Sequence, residues 1–153
     1  MIKINIVCVG NLKDKEYIAL VEEYKKRISR FAKINISELK EKTEFSNHLQ
    51  VIECESEDIL NHIDTSTSIL CDVKGDIISS EQFAQIFENW FNAKSEITFV
   101  IGGSYGFSEK LKSKITKKIS FGKMTFPHRL ARVMLLEQIY RALTIINNVT
   151  YHK

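Results

Sequence analysis

Short apolar runs alternate with longer amphipathic segments along the whole 153-residue chain. That order confines the fold to the α/β class, a sandwich of helices on the faces of a mainly parallel sheet, with ligands expected at the carboxyl ends of the strands. Ile2 to Val9, closed by Gly10, reads as a first strand. Tyr17, Val21, Tyr24, Ile28 and Phe31 then recur at helical spacing over Asp14 to Phe31. Ile34, Ile36 and Leu39 predict a second strand, and the polar stretch Glu41 to Asn47 a loop. A weaker helical pattern over His48 to Ile63 leads to a strand from Ser68 to Val73, stopped by Lys74, Gly75 and Asp76. The next helix, Glu81 to Asn92, is expected to be capped by Ser80 and to turn Phe83, Ile86, Phe87, Trp90 and Phe91 into the core. A buried strand, Ile97 to Ile101, runs into a glycine-rich turn, Gly102 to Gly106. A short helix from Ser108, a strand near Ile119 to Phe121 and a long helix from Pro127 to Asn147 complete the order. No repeat or linker interrupts it, so residues 1–153 are read as a single domain.

Charge separates the two ends of the chain. From Ser108 to Lys153 there are ten Lys or Arg against only Glu109 and Glu137, although the net charge of the whole is +3. Such a basic end suits a polyanion, and for the lysines between 110 and 118 it equally suits a solvated helix face. Cys8, Cys54 and Cys71 lack the close spacing of a structural zinc site or a disulfide framework, so no metal is expected and the thiols read as small apolar groups. With no run of eighteen apolar residues and no leader pattern, a cytoplasmic protein without membrane contact is expected.

Three stretches could carry chemistry. In Ile101-Gly-Gly-Ser-Tyr-Gly-Phe107, glycines between a strand and a helix permit positive φ and close backbone approach, as a cofactor pocket needs. The same residues also fit a plain tight turn and the G-x-S-x-G nucleophile elbow of a hydrolase, with Ser104 as nucleophile. No aspartate follows Ser104, however, so the acid-then-histidine order would have to come from a glutamate, such as Glu137 with His152. In Ser120-Phe-Gly-Lys-Met-Thr-Phe-Pro-His128, the sole proline starts the last helix, and Met124, Phe126 and the backbone around Gly122 could pack on an adenine or thioether. The last helix is apolar nearly all round, from Leu130 through Val133, Leu136, Ile139 and Leu143 to Ile146. A helix of that kind is buried on two sides, and in a small domain the second side is commonly another copy. On it Glu137 and Arg141 are four residues apart, close enough to pair. The tail ends Tyr151-His152-Lys153, a ring, an imidazole and a cation, which could fray or could engage a nucleobase.

Together, Val100–Phe107, Lys123–His128, Arg132–Ala142 and the terminal Tyr-His-Lys resemble the large-subunit rRNA methyltransferase H (RlmH) family, within the SPOUT class of methyltransferases. The likeness spans the whole chain, including Val7–Lys13. It implies a SPOUT-type α/β sandwich with a C-terminal trefoil knot, and a homodimer with its cofactor site at the subunit interface. It also implies S-adenosylmethionine as methyl donor, and as acceptor N3 of a pseudouridine in 23S rRNA of the assembled ribosome. By the same resemblance the cofactor pocket comprises Cys71, Gly102, Gly103 and the loop Ser120, Phe121, Gly122, Lys123, Met124 and Thr125, with Pro127 fixing its exit. Two positions depart from the family's pattern: Cys71 stands where leucine is common, and Tyr105 where Asn or Glu is expected.

Since a sulfonium methyl is already activated, the protein must align a displacement and help the imide shed its proton. The expected assignment gives Arg132 and Arg141 the phosphate or the developing imide anion and has Glu137 orient Arg141. Tyr151, His152 and Lys153 then close over the base, with His152 as proton acceptor.

Overall fold

The structure is a computed structural model that describes residues 1–153. Its elements are β1 (Lys3–Val9), α1 (Lys15–Ile28), β2 (Lys33–Leu39), α2 (His48–His62), β3 (Ser68–Ile77), α3 (Ser80–Ala93), β4 (Glu96–Ile101), α4 (Glu109–Lys114), β5 (Lys118–Ser120) and α5 (His128–Ile146), with a 3-10 turn at Thr65–Thr67 before β3. The five strands form one parallel sheet in the order β2-β1-β4-β3-β5.

That order decides where the helices lie. Steps from β1 to β2 and from β3 to β4 run one way across the sheet, and those from β2 to β3 and from β4 to β5 run the other. Right-handed crossovers therefore put α1 and α3 on one face and α2 and α4 on the opposite face. Accordingly α5 packs against both α1 and α3, and α2 meets α4.

Period-two alternation feeds both layers from the same strands. Ile4, Ile6 and Cys8 of β1 and Ile97, Phe99 and Ile101 of β4 point into the three-helix layer, where they meet Phe83, Phe87, Leu135, Leu136 and Ile139. Val7, Val9 and Val100 point the other way, onto Ile59, Leu111 and Ile115. Phe83 and Phe87 each stand 5.6 Å from Phe99, the core packing expected of the α3 aromatics.

Two local readings are corrected. Ser79, not Ser80, caps α3: its hydroxyl accepts from Gln82 N–H while the Gln82 side chain accepts from Ser79 N–H, a reciprocal capping box. The strand expected to stop at Val73 runs on to Ile77, because a register shift between Cys71 and Asp76 lets it pair again with β5. Gly75 makes that possible, since a β-carbon there would come 2.8 Å from the backbone of Lys118 and Ile119.

Candidate active site

A cleft of about 860 Å³ opens at the carboxyl ends of β3, β4 and β5. Neighbouring strands there send their chains to opposite faces of the sheet, which is where an open α/β sheet leaves a crevice. Cys71 lies at its floor, and Gly102 and Gly103 form one wall. Ser120, Phe121, Gly122, Met124 and Thr125 form the other. Of the residues expected in the pocket only Lys123 is absent from the lining; it is exposed on the outside of its loop.

Each wall is built by backbone geometry. A β-carbon on Gly102 would meet the Phe107 ring at 2.9 Å, and one on Gly103 would meet Glu55 Oε1 at 2.6 Å, so the turn fits only without side chains at both. Gly106 N–H donates to Gly103 O at 3.2 Å and closes the turn. Gly106 at φ +85° and Gly122 at φ +134° hold conformations that side chains disfavour, and a β-carbon on either would stand in open space. In the facing loop the Ser120 hydroxyl accepts from Gly122 N–H at 3.1 Å and has the Gly122 carbonyl at 2.8 Å as an acceptor. Ser104 hydrogen-bonds to no histidine or carboxylate and lacks positive φ, so neither the relay nor the strained backbone of a nucleophile elbow is present.

The cleft is a neutral enclosure at its base. Desolvation, with Asp72 adding, pushes the Cys71 thiol up to about 12, so it packs as an apolar group. Phe107, Phe126 and Ile101 add apolar surface, while Asp72, Lys112 and His128 bring charge or polarity. At its mouth Tyr105 stacks on His48, ring centroids 3.9 Å apart.

The tail does not fray. Asn148 takes φ +55° just past α5, with Asn148 N–H donating to Ile145 O at 3.2 Å and Val149 N–H to Thr144 O at 2.9 Å. This is a Schellman turn, and it sends the chain back along α5. Tyr151 then donates to Glu137 Oε2 at 2.8 Å, while Arg141 Nε donates to Glu137 Oε1 at 2.7 Å. The Arg141 guanidinium lies 4.8 Å from the Tyr151 ring centre, a cation–π contact. Desolvation and the Glu137 hydrogen bond push the Tyr151 hydroxyl up to about 12.

His152 closes the cluster, with Nδ1 3.1 Å from Arg141 Nη1 and Nε2 2.8 Å from Glu81 Oε1. A guanidinium only donates, so Nδ1 must accept and the ring proton belongs on Nε2, facing Glu81. Both ring nitrogens are thus engaged, and this arrangement does not support the expected role of His152 as proton acceptor.

Arg132 also departs from expectation. It is 2% exposed and turned into the protein, with Nη1 2.6 Å from Glu38 Oε2 and Nη2 donating to Gly10 O at 3.0 Å. Its guanidinium ties the ends of β1 and β2 to α5 and is not available to a phosphate.

The structure therefore brings the cofactor-pocket residues together, and separately brings Glu137, Arg141, Tyr151 and His152 together. Within one chain it does not join the two groups, for none of the four lines the cleft. Glu137 borders a neighbouring cavity of about 230 Å³ that shares Ile119, Ser120 and Phe121 with the cleft. Sequence reading missed Glu38, Glu41 and Glu55, which read as ordinary surface acids on a strand, a loop and a helix. It also gave no role to His128, although the histidine next to the only proline was in plain view.

Residues 2–152 match a family model described as "Predicted SPOUT methyltransferase". A protein of Caldicellulosiruptor bescii named ribosomal RNA large subunit methyltransferase H is 43% identical over 153 residues, covering 98% of this chain and 99% of that protein. One of the same name from Clostridium botulinum, strain Okra, is 47% identical over 157 residues, again covering 98% and 99%. Among solved structures, a probable methylase family protein from Haemophilus influenzae Rd KW20 superimposes with a TM-score of 0.52 at 12% identity, over 98% of this chain and 70% of that one. A methyltransferase from Legionella pneumophila, solved with the cofactor SAM bound, gives 0.50 at 11% identity, over 92% and 66%. At such low identity these two speak for the fold alone.

Proposed function

The chain belongs to the SPOUT methyltransferase family, and on that premise we propose that it transfers the methyl group of S-adenosylmethionine to N3 of a pseudouridine in 23S rRNA of the assembled ribosome. The observation that carries this reading is the cleft at the ends of β3, β4 and β5, bounded by two turns whose glycines leave backbone bare to a ligand. Its volume of about 860 Å³ suits a nucleoside-sized cofactor. The bare Gly106 and Gly122 backbones, the neutral Cys71 thiol and the Phe107 ring fit an adenosine with a thioether arm. Bound there, S-adenosylmethionine supplies an activated methyl group. Cys71, Gly102 and Gly103 would hold one side of it and Ser120, Phe121, Gly122, Met124 and Thr125 the other, with Lys123 outside the lining.

The acceptor is RNA. Relatives alike over nearly the whole chain carry the name of a large-subunit rRNA methyltransferase. Lys114 and Lys123 are exposed and pair with no carboxylate. Glu137, Arg141, Tyr151 and His152 grip the target nucleotide, with the tail as a lid. Because the tail cluster and the cleft are apart in one chain, we read the working unit as a homodimer in which the tail of one copy serves the cleft of the other. The half-exposed Leu130 and Met134 on α5 favour such a partner. The setting proposed is the bacterial cytoplasm, where ribosomes are; no helix is long and apolar enough to cross a membrane.

The test is transfer of labelled methyl from S-adenosylmethionine to intact ribosomes and to free rRNA, with mass mapping of the modified nucleoside. Label in 3-methylpseudouridine from ribosomes is the expected result. Cofactor binding without any RNA labelling would overturn the substrate assignment.

A further inference from the structure

Beside the cofactor cleft, at the carboxyl ends of β1 and β2, lies a second polar group that the assignments above do not use. His128 opens α5 and lines the cleft. Its Nε2 is buried, makes no hydrogen bond that meets full geometry, and faces Glu41 Oε1 at 3.4 Å. Its Nδ1 bonds to nothing in the chain and is the ring nitrogen that solvent reaches. A carboxylate at one imidazole nitrogen and solvent at the other, on a residue that lines the cleft, is the arrangement of an oriented base.

The surrounding chain is shaped to allow this meeting. Gly10, at φ +97°, ends β1, and a β-carbon there would come 2.6 Å from Glu41 Oε1 and 3.4 Å from His128 Nε2. Only a glycine leaves room for the pair. Gly10 N–H donates to Leu39 O at 2.7 Å and Gly10 O accepts from Arg132, whose other arm holds Glu38. The buried arginine thus fixes the two strand ends between which Glu41 reaches His128.

We propose that His128 is the proton-accepting residue of this site, oriented by Glu41, and that it takes the imide proton at Nδ1 while Nε2–H points to the carboxylate. This rests on the assignment of the cleft to the cofactor and of an imide nitrogen as acceptor. In the step, the N–H bond breaks and its electron pair becomes the new N–C bond, the methyl–sulfur bond breaks with its pair staying on sulfur as a neutral thioether, and the proton goes to Nδ1. His128 leaves the step as an imidazolium beside Glu41 and returns the proton to solvent. A base must start neutral, and burial, with Arg129 and Arg132 on the same helix, holds the ring below its ordinary pKa against the opposing pull of Glu41. Glu38 is already committed to Arg132.

The experiment compares wild type, His128→Gln and Glu41→Gln by single-turnover methyl transfer to ribosomes from about pH 5.5 to 9, with calorimetric cofactor affinity. Ring titration of the four histidines by NMR on the cofactor-free protein adds a readout apart from activity. His128→Gln should slow transfer by about 10²-fold or more and abolish the acid limb of the profile, with cofactor affinity within about threefold of wild type. Glu41→Gln should move the His128 midpoint, and with it the acid limb, to lower pH. Transfer within about threefold of wild type and an unmoved acid limb in His128→Gln would overturn the proposal. So would a His128 midpoint indifferent to Glu41→Gln, which decides alone if His128→Gln does not fold. A wild type that binds no S-adenosylmethionine, or labels no RNA, defeats the functional reading itself, and the proposal falls with it.

Discussion

Tyr151 and Glu137 are joined by a hydrogen bond of 2.8 Å that folds the last residues of the chain onto the middle of its last helix. Glu137 also takes Arg141, so a single carboxylate organises both the ring and the cation of the tail. Tyr151→Phe should keep the fold, cost about 1 kcal/mol in urea unfolding, and lower methyl transfer to ribosomes while cofactor affinity holds. Removal of Tyr151 to Lys153 should reduce transfer by about 10²-fold or more with the same cofactor affinity; transfer at the wild-type rate would rule the tail out of the site.

Arg132 is a structural cation. Replacing it by alanine leaves Glu38 without its partner and opens a gap beneath Gly10, and should cost about 3 kcal/mol. Glu38→Gln should cost less, because the amide oxygen still accepts from the buried guanidinium and no volume is lost, so that only the counter-charge goes. Denaturant midpoints for the two variants check the order.

Gly103 and Glu55 compete for one space. Gly103→Ala puts a β-carbon 2.6 Å from a buried carboxylate oxygen and should destabilise by about 1–3 kcal/mol. Shortening the partner with Glu55→Ala should recover part of that cost, so a double-mutant cycle should show coupling. Additive losses would mean that the turn relaxes elsewhere.

Glu55 also makes stability depend on pH. Burial is the main cause that raises its carboxyl above the usual range; Oε1 has no partner and Oε2 accepts from Lys42 N–H. The folded state therefore holds the proton more tightly than the unfolded chain. The contribution is favourable below the ordinary carboxylate pKa and is lost as pH rises through the folded value. Glu55→Gln should raise stability at pH 7 by about 1 kcal/mol and lose that advantage in acid, as read from melting curves across pH.

Cys71 should be chemically silent. A thiol pushed up to about 12 is almost wholly protonated at pH 8, so alkylating reagents should leave it unmodified in the folded protein. Cys71→Leu should bind the cofactor within about threefold of wild type, since both side chains fill the same apolar floor.

How much of this was legible beforehand depended on range. Strand and helix periods, the glycine turn and the start of α5 at Pro127 are local matters, and they lie where the sequence places them. Most of the expected pocket residues meet in one cleft because the resemblance that named them already encoded their meeting. What could not be read was which charged side chains turn inward. Arg132 occupies a helix position that looks exposed by charge, yet it meets Glu38 across 94 residues of sequence. Glu41 sits in a loop whose only sign of purpose is its approach to Gly10 and His128, both distant in the chain. The continuation of β3 past Lys74 depended on an edge partner, β5, that forms some forty residues later. The Schellman turn was within reach, since two asparagines follow the helix, but the partners of the tail it directs were not.

One consequence concerns synthesis. α5 sits between α1 and α3 and covers the apolar sides of both. It also leaves a translating ribosome after both of them. Until α5 has emerged, a nascent chain holds its first and third helices with their greasy flanks bare. Early stop codons upstream of Pro127 should thus yield not a small inactive enzyme but a sticky fragment for proteases and chaperones.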